Sequence, residues 1–324
     1  MNDVYILPGV CNILQRSSPF TIRNLKDLIA LCDADEKKLV MYPDLAALEK
    51  IKEPLQELEA LIGLDSIKKS IIDQVLNYAQ GLSINHERHV IITGPPGVGK
   101  TSLCGILAKI YAGIGQLSRG HVVSCKRHDL IGRYLGWTAD KTAKKIEEAF
   151  GGVLLIDEAY SLGNPEGKDT FSRECIDTLN RYLSEHADKF ICIIVGYKDS
   201  IYSSLFAYNS GLRSRFTYCI DIKGYTSEQL QTMFINLTKE MKWYLRPDVE
   251  VVIDKNHFPH FGRDIRTFFT ECCKASSRRT FGLPQFFKKR INEVDFKKGM
   301  ESFLHHSGEK ERRESQRSRF DMYV

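Results

Sequence analysis

The chain lacks any stretch near the ~18 consecutive apolar residues of a membrane span, which leaves out a helix that crosses a bilayer. Its first ten residues, MNDVYILPGV, carry an early Asp and no basic run ahead of an apolar one, so no secretory signal is expected there. No C-x-x-C pair occurs among the nine cysteines, an odd number. That argues for a reducing compartment over a disulfide framework, and a cytoplasmic location is expected. Cys104, Cys175 and Cys192 fall inside predicted helices or strands, where the thiol behaves as a small hydrophobe. The adjacent Cys272-Cys273 read as helix residues rather than as a redox pair. Histidines are not spaced for a zinc site: Pro259 lies between His257 and His260, and His305-His306 are neighbours near a polar tail. Charge of one sign is scarcely in excess, at +5, too mild to imply nucleic acid on its own. No internal repeat is visible. What remains is ordinary globular composition, 43% hydrophobic and 27% charged over 324 residues, a length that suggests about two domains; with no apolar span, no membrane partner is expected.

Against that background two runs carry chemistry. The first is GPPGVGKT at 94–101: Gly94, Pro95, Pro96, Gly97, Val98, Gly99, Lys100 and Thr101, followed by Ser102. It matches the phosphate-loop pattern, in which glycines let backbone N–H groups point at phosphate oxygens. Lys100 is placed to reach the β- and γ-phosphates, and the Thr101 hydroxyl to hold Mg²⁺. The context agrees: HVIIT (89–93) reads as a buried strand and SLCGILAKIYA (102–112) as a helix whose N-terminus faces the phosphates. The second run, GGVLLIDEAY at 151–160, is a buried strand ending in Asp157-Glu158. Asp157 is placed to hold the metal and Glu158 to polarise an attacking water. ATP binding and hydrolysis with Mg²⁺ follow as the expected chemistry.

Elsewhere the chain alternates. Residues 1–18 look irregular. Helical spacing marks Thr21–Leu31, then Asp44–Leu61 with Pro54 interrupting or restarting it, then Asp65–Ala79. Strands are expected at 89–93, 121–125, 152–156, 190–195 and 218–222, with helices between them, which argues for a parallel sheet covered on both faces. From Ser227 on the pattern is helical, with helices expected at 227–241 and 263–276. The tail 307–319 is polar and mixed in charge, and reads as a frayed helix or a disordered end.

Partners for the phosphate loop are sought further along. GLRSRF at 211–216 puts Arg213 and Arg215 just before the last strand, where an arginine in a ring-forming ATPase projects towards a neighbour's γ-phosphate. GRDIR at 262–266 opens a helix with Arg263 placed to reach a nucleotide and Arg266 one turn on. Between the second strand and the helix DKTAKKIEEAF lies a loop with Tyr134, Leu135 and Gly136. An aromatic side chain on such a loop can grip an extended polypeptide, stack on single-stranded nucleic acid beside Arg133, or simply pack against the helix.

Taken together, GPPGVGKT, DLIGRYLGWTADKT, GGVLLIDEAYSL, IIVGYKDSI, GLRSRF and GRDIR, in this order, resemble the AAA+ ATPases of the group containing red-type Rubisco activase and the stage V sporulation protein K. LEALIGLDSIKKSI (58–71) is similar to that group's opening. The likeness covers roughly residues 55–280. It implies a phosphate-loop α/β core with a five-stranded parallel sheet, then a smaller helical lid, with a helical N-terminal extension. It also implies a hexameric ring with ATP between subunits and a pore lined by Tyr134-Leu135-Gly136. By this resemblance Lys100 and Thr101 belong to Walker A, Asp157 and Glu158 to Walker B, the Arg213/Arg215 pair to the arginine finger, and Arg263 to sensor 2. Many relatives in the wider family place an Asn at the end of the fourth strand; here Tyr197 holds that position, so the sensor 1 role stays open. The expected organisation is an extension at 1–54, a nucleotide-binding domain at 55–224, a lid at 225–306 and a tail at 307–324. The leading expectation is an ATP-driven remodeller of an unknown protein partner. The alternatives are a nucleic-acid-associated loader or helicase-like ring, for which Lys126-Arg127-His128 and Phe287-Lys288-Lys289-Arg290 speak, and a nucleotide-gated interaction protein with slow turnover.

Overall fold

Five parallel strands form the centre of the computed structural model, which describes residues 20–33, 45–46, 48–82, 88–134, 136–163 and 169–320. The expectations for residues 1–18 and for Leu135 lie outside the described residues. The strands are β1 (His89–Thr93), β2 (Val122–Cys125), β3 (Val153–Ile156), β4 (Ile191–Gly196) and β5 (Phe216–Asp221), in the spatial order β2-β3-β4-β1-β5. β1, β3 and β4 are buried along their whole length, as continuous apolar runs in the middle of a parallel sheet should be. Successive side chains feed opposite faces: Val90 and Ile92 enter one core and Ile91 the other; Val153 and Leu155 oppose Leu154 and Ile156. β5 begins two residues before its expected start. It is an edge strand with alternating exposure, so its apolar signal is thin, and Phe216 at its first position is fully buried.

The helices before the sheet are α1 (Leu25–Leu31), α2 (Lys52–Ala60) and α3 (Asp65–Ala79). α1 starts later than the apolar spacing suggests, because Asn24 and Asp27 form a capping box that sets its first turn. Pro54 lies in the first turn of α2, where its missing N–H costs nothing, so it helps to start the helix. Leu25, Leu28, Ile51, Leu55 and Leu58 join the same core as α4 (Lys100–Gly113), and a methyl on Gly113 would meet Ile51 Cγ2 at 2.4 Å. On the other face lie α5 (Arg127–Leu130), α6 (Trp137–Glu148), α7 (Thr170–Glu185) and α8 (Ser210–Arg213).

After β5 the chain becomes helical: α9 (Ser227–Glu240), α10 (Gly262–Thr280) and α11 (Glu293–Phe320), with β6 (Tyr244–Leu245) paired in parallel to β7 (Arg290–Ile291). Phenylalanines weld this unit. Phe234 and Phe268 lie 5.0 Å apart, Phe258 stacks on Phe303 at 4.7 Å, and Phe268 meets Phe296 edge-on at 5.1 Å. α10 runs four residues past its expected end. There the Ser276 hydroxyl donates to Arg290 O at 2.7 Å and Arg279 donates to the buried Asp295 carboxylate at 2.7–3.1 Å. α11 carries helical backbone into the polar segment 307–319. Cys104, Cys175, Cys192 and Cys272 are buried, and burial pushes the Cys104 thiol up to about 12. Among the described residues no helix is long and apolar enough to cross a membrane.

Candidate nucleotide-binding site

The loop between β1 and α4 curls because Gly97 and Gly99 take positive φ, 79° and 86°. At Gly97 the constraint is contact as well as conformation. A methyl there would lie 1.8 Å from His260 O, so the backbone just before α10 rests directly on the loop, and Gly262 N donates to Gly97 O at 3.2 Å. Among the described residues nothing accepts a hydrogen bond from the amides of Gly97, Gly99, Lys100 and Thr101, the orphan donors expected at a helix start. The Lys100 ammonium donates to Gly94 O and Pro95 O, each at 2.8 Å. Burial, with the Arg263 charge added, holds its pKa below the usual lysine range, against the pull of Asp157.

β3 brings the carboxylates alongside. Asp157 N donates to Cys125 O at 2.9 Å, which continues the β2–β3 ladder, and the chain then turns sharply, with Glu158 at φ 54°. Asp157 Oδ1 accepts from Glu158 N at 3.0 Å. A residue that the sequence reading placed only in a basic cluster, Lys126, directs its ammonium at this pair, 3.3 Å from Glu158 Oε2 and 3.9 Å from Asp157 Oδ2. The Glu158 carboxylate raises the Lys126 pKa. Lys126 follows β2 directly, so it meets Glu158 only because β2 neighbours β3 in the sheet.

At the end of β4, Tyr197 lies over the loop. Its ring is 5.7 Å from Lys100 Nζ and 5.6 Å from the Tyr160 ring. Thr93 Oγ1 donates to Asp221 Oδ1 at 2.7 Å, and Lys198 approaches the other oxygen at 3.3 Å. The Thr93 hydroxyl first, and then Lys198, hold Asp221 below the usual carboxylate range and tie the ends of β1 and β5 together.

These walls enclose a cleft of about 670 Å³. Pro96 to Ser102 form its floor; Asp157, Glu158, Tyr160 and Tyr197 stand on one side and Arg263 with Arg266 on another. The remaining wall is largely apolar: Leu61, Ile62 and Leu64 from the α2–α3 turn face Met233 and Leu237 of α9. Tyr225 pins this side down by donating its hydroxyl to Val98 O at 2.9 Å. A floor of free amides and one apolar wall suit a phosphorylated ligand with a flat base. The apolar wall went unassigned in the sequence, where LIGL at 61–64 is only a family-like opening.

The sequence-predicted residues divide into two groups. Val98, Gly99, Lys100, Thr101, Ser102, Asp157, Glu158 and Arg263 line one cleft, and Gly94 and Pro95 supply the carbonyls that hold Lys100. Arg213 and Arg215 lie outside it. The Arg213 guanidinium donates to Phe216 O at 2.7 Å and stands 5.9 Å from the Tyr202 ring, whereas Arg215 is exposed. Tyr134 does not line the cleft either; it is 63% exposed, with its ring edge-on to Trp137 at 5.2 Å. Gly136, at φ 84°, starts α6 just beyond it.

A parallel sheet of order 2-3-4-1-5, with a phosphate loop after β1 and an Asp-Glu pair ending β3, defines a phosphate-loop nucleotide-binding protein with a helical C-terminal region. Residues 90–223 match the ATPase family associated with various cellular activities (AAA). The chain is 38% identical over 309 residues to the putative cfxQ-like protein R730 of Acanthamoeba polyphaga mimivirus, covering 93% of this chain and 75% of that one. It is 32% identical to the stage V sporulation protein K of Bacillus subtilis (strain 168), over 77% of this chain and 84% of that one. The protein CbbX of Cereibacter sphaeroides is likewise 32% identical, over 71% and 79%. In fold the chain is similar to the Thermotoga maritima RuvB Holliday junction branch migration motor, with a TM-score of 0.55 at 19% identity over 76% of this chain and 71% of that one. The chain belongs to the AAA+ ATPases, in the group of CfxQ, CbbX and the stage V sporulation protein K.

Proposed function

We propose that this protein binds and hydrolyses ATP in the cleft between sheet and lid, as an oligomeric ring of about six subunits that remodels a protein partner through Tyr134. The reading carries the domain division 55–224 for the nucleotide-binding unit and 225–306 for the lid. Its main support is the convergence of Lys100, Thr101, Asp157, Glu158 and Arg263 on one cleft.

The residues present fit the nucleotide and its metal. The first-turn amides of α4 are unclaimed among the described residues, and the Lys100 ammonium rests on two carbonyls that phosphate oxygens would replace as partners. The Thr101 hydroxyl and the Asp157 carboxylate would hold Mg²⁺, which supplies charge neutralisation on the phosphates. Glu158 would orient and polarise the attacking water, once its carboxylate is free of Lys126. Arg263 would meet the terminal phosphate from the lid. Of the two arginines before β5, Arg215 is the better finger, because Arg213 already donates to its own chain. Tyr134 offers a broad exposed ring at the end of the segment that starts at Lys126.

The test is the size of the Glu158→Gln variant by light scattering with and without ATP. Assembly to about six subunits only with ATP supports the ring and the interface role of Arg215. A monomer that binds ATP removes both. One observation favours a slow, nucleotide-gated interaction protein: Lys126 engages the carboxylate that would activate water. A turnover that no candidate partner raises would select that reading. The nucleic-acid reading loses part of its support, since Lys126 pairs with Glu158, and Arg127 donates to Ser161 O and pairs with Asp169.

A further inference from the structure

Arg127 opens α5 directly after Lys126. Lys126 turns its ammonium to Glu158, whereas Arg127 does not line the cleft and reaches the turn that follows Glu158. Its Nη1 donates to Ser161 O at 2.8 Å and to the Ser172 hydroxyl at 2.5 Å, and its Nη2 pairs with the Asp169 carboxylate at 2.5 Å. The receiving end is itself fixed. Asp169 caps α7, accepting from Ser172 N at 3.1 Å and from the Ser172 hydroxyl at 2.9 Å. Burial opposes ionisation of Asp169, but the Ser172 amide and the Arg127 guanidinium hold its carboxyl down to about 2, so the pair is charged at neutral pH. One guanidinium thus joins three segments: the chain leaving β2, the turn after β3 and the start of α7.

That turn gives Glu158 its direction. Glu158 lies at φ 54° and ψ 41°, a left-handed conformation that a residue with a Cβ keeps only where its surroundings impose it. Ser161 N donates to Glu158 O at 2.8 Å, and Gly163 N to Tyr160 O at 3.0 Å, so the turn closes on itself. Those local bonds would survive a shift of the whole turn. The Arg127 bond to Ser161 O would not, because it refers the turn to a second strand and a helix. The task needs a planar fork that serves a carbonyl and a carboxylate at once, which a lysine ammonium does not offer. We propose that Arg127 is a positioning residue for hydrolysis: it fixes the turn from which Glu158 addresses the attacking water, without touching the nucleotide. The inference rests on the reading of Glu158 as the residue that polarises that water.

The test is single-turnover cleavage of ATP by the full chain with Mg²⁺, beside binding of a fluorescent ATP analogue and thermal melting. Arg127→Ala should lower the cleavage rate by about a hundredfold, the order of loss that a misplaced catalytic group brings, with analogue affinity within about twofold of the parent. Arg127→Lys keeps a cation beside Asp169 but leaves Ser161 O without its donor. It should melt within about 5 °C of the parent and still lose about tenfold in rate. In a Glu158→Gln background, Arg127→Ala should cost less than about a further twofold, since it acts through Glu158. Parent-like cleavage by Arg127→Lys overturns the proposal, as does an undiminished further loss in the Glu158→Gln background. Melting of Arg127→Lys more than about 10 °C below the parent also overturns it, by making the arginine a plain structural tie, and a loss of analogue binding equal to the loss of rate would place its effect on the nucleotide instead. A parent that does not cleave ATP, or a Glu158→Gln variant that cleaves it as the parent does, removes the role of Glu158 and this inference with it. Failure of the inference alone is the case in which Glu158→Gln is inactive and Arg127→Lys is not.

Discussion

Gly97→Ala isolates the contact between lid and phosphate loop. The new methyl carries two separable costs. One is conformational: at φ 79° an L side chain in the left-handed region costs about 1–2 kcal/mol. The other is steric: the methyl would lie 1.8 Å from His260 O and 3.3 Å from Arg263 Cβ, so the start of α10 must retreat by more than about 1 Å, adding roughly 1–3 kcal/mol. Gly81→Ala is the control, since φ is 67° there with nothing within 4 Å, and only the first cost applies. At roughly 2–4 °C per kcal/mol, thermal unfolding without nucleotide should drop about 4 °C for Gly81→Ala and about 10 °C for Gly97→Ala. Binding of a fluorescent ATP analogue should weaken at least about tenfold for Gly97→Ala, because Arg263 moves with His260, and stay unchanged for Gly81→Ala. If Gly97→Ala loses no more than the control in both assays, the lid does not depend on this close approach and the reasoning fails.

Arg215→Ala should leave ATP binding intact and lower turnover of the assembled protein by about 10³-fold or more, while Arg213→Ala should chiefly lower the melting temperature by freeing Phe216 O. Turnover of Arg215→Ala within tenfold of the parent would sink the finger assignment. Lys126→Met should raise basal turnover, by no more than about fivefold, because the half-exposed pair with Glu158 has a strength of about 0–1 kcal/mol. A tenfold fall would mean that Lys126 assists the chemistry. His89 is buried between Leu183 O and Cys192 N, and burial pushes its pKa down to about 4. The unfolded chain therefore binds the proton first as pH falls. Stability from the neutral ring is whole above about 6.5 and is lost between there and about 4, on the order of 3 kcal/mol. Urea midpoints measured across that range should fall for the parent and flatten for His89→Asn.

What could be read from the sequence was what lies close together along the chain. The phosphate loop, its flanking strand and helix, and the Asp157-Glu158 pair each occupy one short run, and the structure brings these runs into one cleft. Strand identity lies in apolar runs, so the buried β1, β3 and β4 are plain, while the edge strand β5, with alternating exposure, starts two residues ahead of its apolar signal. α1 shows two signals in conflict: apolar spacing begins at Ile22, but the Asn24–Asp27 box decides the start. Hidden were the features that depend on which strand sits beside which, or on chain ends brought together. Lys126 meets Glu158 through the β2–β3 pairing, and Leu61, Ile62 and Leu64 face α9 across more than 160 residues of chain. Tyr225 reaching Val98 O is of the same kind.

The phenylalanine weld of the C-terminal helices has a mechanical meaning. Rings packed at 4.7–5.1 Å leave little room for helices to slide, so the unit is a stiff lever with its short arm resting on Gly97 and its long arm running along α10. Turned about the connection near Gly224 by ten degrees or so, a rod of about 28 Å would swing its far end by about 5 Å. A displacement of an ångström where phosphate meets loop would thus arrive at residues 281–289 magnified, with no part of the lid needing to unfold to carry it.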